Sequence, residues 1–208
     1  MIVSLINTNL NMINYYFSNL FFNLIHAKLN NRFNRKMANN FTALVHALGC
    51  TFFAGNYLYN KTDSNYDMLK VYSSGYFTYD LFLILKYWES KTINYAYLYH
   101  HLASLYLIQE NPILYKSAHI FFFAELSNIP TYFVYYFQKQ KQKNNKLIKK
   151  LKYLQFFTYS LIRIPIIGKI LYDGYNSGKD NKNYLPFLMG SPVFLMGLIW
   201  SKKLFYKL

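Results

Sequence analysis

Seven long, mostly apolar stretches limit the folds open to this 208-residue chain more than any other feature. A helix needs about 20 apolar residues to cross the hydrocarbon core of a bilayer, because each residue rises only about 1.5 Å. The stretches are continuous rather than alternating, which argues against a transmembrane β-barrel. We therefore predict an all-α, polytopic membrane protein with about six or seven transmembrane helices arranged around a central polar cavity. The stretches are residues 10–27, 41–59, 71–88, 93–109, 113–137, 153–172 and 184–201.

The first stretch is the weakest of the seven, because four asparagines interrupt it: Asn11, Asn14, Asn19 and Asn23. We therefore divide the chain into two parts. Residues 1–34 are predicted to form an N-terminal segment with one weak transmembrane helix, and residues 35–208 the main membrane domain. Loss of the first span would leave the later spans and their loops unchanged and would move only the N-terminus.

Basic residues concentrate on one side of the predicted membrane. The net charge is +15, and the densest basic run, QKQKQKNNKLIKKLK at 138–152, holds seven lysines and no acid. One side collects fifteen Lys and Arg residues and the other only four. The basic side comprises segments 28–40, 89–92, 138–152 and 202–208, and the other side segments 1–9, 60–70, 110–112 and 173–183. By the positive-inside rule, loops 28–40 and 138–152 are predicted to be cytosolic. Because basic patches for nucleic acid lie on folded soluble domains, we expect no nucleic-acid partner.

Ionisable side chains lie away from the ends of five of the stretches, and a central Asp, Lys or Arg costs about 2.5–3.5 kcal/mol on insertion scales. Spacings of three or four residues align several of them with a polar neighbour on the same helical face. If these faces turn inward, they surround one cavity. The residues concerned are His46, Tyr76, Asp80, His100, His101, Ser104, Glu125, Asn128 and Arg163. For Arg163 or His46 taken alone, interhelical hydrogen bonding or snorkelling is the better explanation.

The adjacent pair His100–His101 points to acid–base chemistry rather than to a metal site. Neighbouring residues on a helix point about 100° apart, so the two rings cannot easily bind one metal ion. A histidine beside a carboxylate suits general-base work, with Asp80 as the orienting acid and a lipid hydroxyl or amine as the target. Cys50 is the single cysteine, which excludes an internal disulfide and CxxC zinc sites. We expect neither a metal nor a bound cofactor.

Four short motifs follow one another in the chain: GYFTYD at 75–80, the pair His100–His101, AELSN at 124–128, and a span with Arg163 near its middle. Together they resemble the TLC domain family, the membrane domain shared by ceramide synthases, translocon-associated membrane proteins and further relatives. The resemblance covers roughly residues 35–205. It implies an all-helical membrane fold with a central cavity, usually in the endoplasmic reticulum.

In ceramide synthases the adjacent histidines serve acyl transfer from acyl-CoA to a sphingoid amine, and His100 and His101 match them. The synthases carry a later His-Asp and a further Asp, whereas Ser127-Asn128 and Thr131 stand at that spacing here. The match is therefore closer to the non-synthase relatives, which the resemblance links to membrane lipid composition or sensing. Because Ser127 stands at one of these motif positions, it is also predicted to line the cavity.

Three functions are compatible with these observations. The first, which we favour, is a multi-pass membrane protein that binds lipid or influences membrane lipid composition without catalysis. The second is an acyl-CoA-dependent N-acyltransferase of ceramide-synthase type, with acyl-CoA as co-substrate and His100, His101 and Asp80 as the catalytic residues. The third is a proton-coupled transporter that uses the same Asp, His and Glu side chains. Membrane lipids are the expected partners, and the resemblance implies the endoplasmic reticulum as the location.

Overall fold

The computed structural model describes residues 2–88, 92–113, 115–140 and 145–208, and within them the chain forms seven helices and no strand. The helices are α1 Ile2–Asn30, α2 Arg35–Asn60, α3 Asp63–Lys86, α4 Thr92–Leu107, α5 Ser117–Lys139, α6 Asn145–Asn181 and α7 Leu185–Phe205. Helix α6 contains a π-helical segment at Thr158–Arg163. Each predicted apolar stretch overlaps one of these helices, and the all-α prediction is confirmed.

Among the described residues, three helices are long and apolar enough to cross a membrane by length and composition: α2, α6 and α7. Helix α4 has only 16 residues, or about 24 Å at 1.5 Å per residue, against a hydrocarbon core of about 30 Å. Helices α1, α3 and α5 contain polar side chains that lower their hydropathy. The full count of six or seven spans therefore stays a prediction.

Six of the helices close into a ring. Around it, α2 packs on α3, α3 on α4, α4 on α7, α7 on α6, α6 on α5, and α5 again on α2. The connection between α2 and α3 is short, and Thr62 caps α3 by accepting a hydrogen bond from the backbone N–H of Asn65. The ring encloses the side chains that α2 to α6 contribute from the middle of the predicted spans.

Helix α1 lies outside the ring and packs against α2 and α3. The Ser18 hydroxyl donates to the backbone oxygen of Tyr72 at 3.2 Å, and Asn19 Nδ2 donates to that of Gly75 at 3.2 Å. Gly75 has to be glycine here, because a Cβ at this position would collide with Ser18. Asn19, one of the residues that weakened the first apolar stretch, thus faces the bundle, while Tyr16, Phe17 and other apolar side chains of α1 are exposed.

The two sides of the ring are packed differently. A large cluster of buried side chains, centred where α1, α2 and α3 meet and extending to Leu107 of α4 and Phe121 of α5, forms what we call the aromatic core. In it Phe22, Phe77 and Tyr79 are at most 1% exposed. A second cluster, between α5 and α6, contains only Ala124, Ile167 and Leu171, with Phe194 of α7 packed against it. The thinner packing leaves open space on this second side.

Candidate functional site

Asp80 of α3 and His101 of α4 form a close pair inside the ring. Asp80 Oδ2 lies 2.8 Å from His101 Nε2, and the two side chains are 21% and 8% exposed. At this distance the imidazole N–H donates to the carboxylate, and protonation of the ring turns the contact into an ion pair. The contact fixes the hydrogen on Nε2, so that the buried Nδ1, which has no hydrogen-bond partner, is left as an acceptor.

A stacked histidine connects this pair to a second carboxylate. The ring of His46 on α2 lies on that of Tyr76, with centroids 3.9 Å and planes 8° apart, and Tyr76 meets His101 edge-on at 6.3 Å. His46 Nδ1 lies 3.9 Å from Oε2 of Glu125 on α5. One tyrosine therefore contacts two buried histidines, and each histidine faces a carboxylate.

Glu125 is linked in turn to the cation of α6. Asn128 Nδ2 donates to Glu125 Oε2 at 3.3 Å, and Arg163 Nη1 donates to Asn128 Oδ1 at 2.9 Å. The guanidinium carbon of Arg163 lies 4.6 Å from the centroid of the Tyr159 ring, within the range of a cation–π contact. The amide of Asn128 thus bonds to the buried cation and to the buried carboxylate at once.

Tyr159 and Arg163 both lie in the π-helical segment of α6, Thr158–Arg163. It ends two residues before Pro165, which lacks the N–H that the carbonyl of Leu161 would receive in an α-helix and whose ring pushes that carbonyl away. The helix widens locally instead of breaking, as π-bulges do at many functional sites. Both side chains are buried, at 4% and 6% exposed.

A pocket lies between α4, α5, α6 and α7, next to these polar groups, with a cavity of about 50 Å³ open to water-sized molecules inside about 640 Å³ of empty space that includes the open mouth. One end, the polar end, is lined by His100, Ser104, Glu125 and Arg163. The rest, the apolar end, runs toward the end of the bundle where α4 stops and α5 begins. It is lined by Leu107, Ile120, Phe121, Ile164, Ile167, Leu171, Val193 and Phe194, with Ala124 between the two ends. Mostly apolar walls with a few convergent polar groups are the usual lining of a small-ligand site.

Two glycines of α7, Gly190 and Gly197, complete the pocket wall. A Cβ on Gly190 would lie 2.8 Å from a methyl carbon of Leu171, which is too close, whereas a Cβ on Gly197 would lie 3.8 Å from the Tyr159 hydroxyl. Gly190 therefore allows α6 and α7 to approach each other, and Gly197 leaves volume beside the polar end.

The predicted site residues fall into three groups. His100, Ser104, Glu125 and Arg163 line the pocket. His46, Tyr76, Asp80, His101 and Asn128 contact one another or those residues behind the pocket wall. Ser127 is buried, but its hydroxyl donates to the backbone oxygen of Ala124 at 2.8 Å, within its own helix.

His100 and His101 are neighbours on α4, so their side chains point in different directions and have different surroundings. His101 faces Asp80, whereas His100 lines the pocket, its Nδ1 buried without a hydrogen-bond partner. The two rings are in contact edge to face, with centroids 5.3 Å apart. Among the described residues, no group of three or more His, Cys, Asp or Glu side chains is placed to hold a metal ion.

The sequence interpretation missed the glycines of α7 and the π-helical segment. Isolated glycines in an apolar helical stretch often mark a close approach, and Pro165 marks a local distortion. Trp200, whose ring centroid lies 6.5 Å from that of His100, had no signal in the spacing, because α7 carries no ionisable residue in its apolar part.

Comparison with known proteins identifies one family. Residues 36–206 match the family model of the TLC domain. A search of curated proteins and a search of solved structures found no match.

Proposed function

The chain belongs to the TLC domain family, and on that premise we propose that this membrane protein binds a membrane lipid in the pocket between α4 and α7. The observation that carries the proposal is the polarity gradient of the pocket. Four polar side chains gather at one end, and aliphatic and aromatic side chains line the rest. This matches an amphiphile with one polar group and at least one hydrocarbon chain.

The gradient sets the direction in which the lipid lies. The hydrocarbon chain runs along Ile167, Leu171 and Phe121 toward the end of the bundle where α4 stops. The polar group lies against His100, Glu125 and Arg163, which together offer donors and acceptors. Arg163 uses one of its five N–H groups on Asn128, so it has donors left for a carbonyl or phosphate oxygen.

Filling the pocket tests the proposal. In Gly197→Leu the new side chain enters the space beside the polar end, and we expect lipid recovered per mole of protein, measured by mass spectrometry after mild detergent extraction, to fall several-fold. Gly174→Leu is the matched control, since a Cβ on Gly174 has nothing within 4 Å. Equal recovery from the wild type and both variants would refute lipid binding in this pocket.

A second function, acyl transfer, is favoured by one observation: the 2.8 Å contact between His101 and Asp80 beside the pocket. A histidine oriented by a carboxylate can remove the proton from an acceptor amine as its nitrogen attacks the thioester carbonyl of acyl-CoA. The carbon–sulfur bond then breaks, and the proton passes to the departing CoA thiolate. Because His100 lines the pocket and His101 lies behind its wall, His100 would be the base that takes the proton, and His101, held by Asp80, would position the His100 ring through their edge-to-face contact.

The enzymatic reading is tested by membranes that contain the wild-type protein, supplied with isotope-labelled acyl-CoA and a sphingoid amine. Acyl transfer predicts a labelled amide that disappears in His100→Ala and falls strongly in Asp80→Asn. Lipid binding without catalysis predicts no labelled amide above that of membranes lacking the protein.

Location and orientation complete the proposal. From the family we infer an endoplasmic reticulum protein, and because the basic residues gather at one end we infer that loops 28–40 and 138–152 face the cytosol. An epitope inserted at 141–144 should be reached by antibody after selective permeabilisation of the plasma membrane. Antibody access only after the organelle membrane is opened would reverse the orientation.

A further inference from the structure

Away from the pocket, the start of α6 and the end of α7 form a second surface, which carries exposed lysines next to exposed aromatic and aliphatic side chains. Lys146, Lys149 and Lys150 are exposed on one face of the first two turns of α6. The same face continues with Tyr153, Leu154 and Phe157, which are 41%, 50% and 52% exposed. Along one helical stripe the exposed side chains thus change from cationic to aromatic and aliphatic within three turns.

The end of α7 adds cations beside this stripe. Lys152 Nζ donates to the backbone oxygen of Lys207 at 3.0 Å, and the rings of Phe156 and Phe205 lie 5.8 Å apart. The exposed lysines of the two helix ends form what we call the lysine patch: Lys146, Lys149, Lys150, Lys202, Lys203 and Lys207. The chain has no acidic residue between Glu125 and Asp173 or after Asp180, so the lysine patch has no acidic neighbour in the first several turns of α6 or in α7.

We propose that the lysine patch binds the anionic headgroups of phospholipids in the leaflet at this end of the bundle. Clusters of four to eight Lys or Arg next to a transmembrane helix attract acidic lipids. Aromatic rings below them occupy the interfacial layer, and long lysine side chains reach from the apolar region up to the phosphates.

The order of the exposed side chains along α6, lysines first and aromatic rings next, supports lipid binding in a way that the positive-inside rule alone does not. A positive-inside signal needs only lysines near a span, and a flexible loop satisfies it. Here the cations lie on a regular helix, directly above exposed Tyr153 and Phe157 on the same face. A soluble acidic protein or a nucleic acid would use the lysines and leave these rings without a partner, whereas a bilayer contacts both.

Fluorescence quenching tests the proposal on the full chain in lipid nanodiscs. Trp88 follows α3 at this end of the bundle. Trp200 lies in the second half of α7 but its ring is 6.5 Å from that of His100 in the pocket, so the preference is measured in Gly197→Leu as well. Brominated phosphatidylserine and brominated phosphatidylcholine, compared in mixtures, give a relative association constant. We expect about a tenfold preference for phosphatidylserine at about 0.1 M salt, and a smaller one at about 0.5 M.

The joint substitution Lys146→Gln, Lys149→Gln and Lys150→Gln should lower the preference to about twofold. The matched control removes three exposed lysines from the opposite end: Lys61→Gln, Lys179→Gln and Lys182→Gln. It should keep the wild-type preference. If the triple variant does not insert, Lys149→Gln alone should give a graded loss.

A wild type without preference, or a control that loses it as much as the lysine-patch variant, would overturn the proposal. The result is independent of the pocket, because Gly197→Leu leaves the lysine patch intact and should keep the phosphatidylserine preference.

Discussion

The aromatic core and the pocket adjoin each other inside one ring, where Leu107 and Phe121 belong to both, and they are built in contrasting ways. In the aromatic core, Phe22 contacts Tyr72, Tyr76 and Tyr79 with ring centroids 5.2 to 6.3 Å apart. On the pocket side, Gly190 and Gly197 supply no side chain and the π-helical segment of α6 gives up regular hydrogen bonding. The first side fills its volume and the second keeps some open.

The difference matters because helices in a bilayer gain little from burying apolar surface away from lipid. They associate through close packing and interhelical hydrogen bonds. The aromatic core therefore supplies most of the packing that holds the ring together, and the pocket side can keep the features that reduce stability where a ligand requires space.

The largest effect on the free energy of unfolding is expected from a substitution in the aromatic core. Phe77→Ala removes a side chain that is 1% exposed and contacts His46, His101 and Phe121. The cavity left behind should lower the free energy of unfolding by about 3–5 kcal/mol, measured by sodium dodecyl sulfate titration in mixed micelles. Phe194→Ala beside the pocket should cost less, since one side of that ring already faces open space. Similar losses in both variants would contradict the contrast between the two sides.

A smaller effect is expected where the two sides meet, at the contact between Asp80 and His101. Asp80→Leu leaves His101 buried without its partner and should lower the free energy of unfolding by about 1–3 kcal/mol. Asp80→Asn is the matched control, because its amide oxygen still accepts a hydrogen bond. If Asp80→Leu were as stable as Asp80→Asn, the contact would contribute nothing to the fold.

On the pocket side, the substitution Pro165→Ala should lower lipid binding without lowering stability. Pro165→Ala restores the N–H for the carbonyl of Leu161, so the π-helical segment should return to α-helix and turn Tyr159 and Arg163 away from their present partners. We expect lipid recovery to fall about tenfold, or about 1.4 kcal/mol, while the unfolding midpoint stays the same or rises. Pro186→Ala, in the first turn of α7, is the control. A falling midpoint with unchanged lipid recovery would contradict this account.

The sequence predicted the helices and most of the polar residues near the pocket, because both follow from local patterns. Continuous apolar runs indicated the helices, and spacings of three or four residues placed Asp80, His101, Glu125 and Arg163 on inward faces. Family membership followed from short motifs between Gly75 and Arg163 and is confirmed by the match over 36–206.

The contacts that these side chains make with other helices could not be predicted from patterns within single helices. That Asp80 faces His101 rather than His100, and that Glu125 lies near His46, depends on the rotation and depth of each helix against its neighbours. Single-helix periodicity fixes a face to within tens of degrees and says nothing about depth. The pocket depends further on absent side chains at Gly190 and Gly197, which hydropathy does not register.

The smallest effect is expected at the apolar end of the pocket, where an exposed ion pair joins α5 to α6. Lys116 Nζ lies 2.5 Å from Asp173 Oδ2, with side chains 41% and 32% exposed. Lys116 precedes Ile120 by one turn, and Asp173 follows Leu171 of the pocket wall, so the pair lies just beyond the lining. Asp173→Asn should change lipid recovery by less than about twofold, because water and salt screen such pairs.

The control for this variant is the wild type at about 0.5 M salt, which should behave like Asp173→Asn if screening governs the pair. Packing between Ile120, Leu171 and Gly190 would then hold the apolar end closed without help from charge. A loss of lipid as large as that of Pro165→Ala would show the opposite. The exposed ion pair would then determine access to the pocket, and the contrast between a packed side and an open side would have to include charges at the end of the bundle.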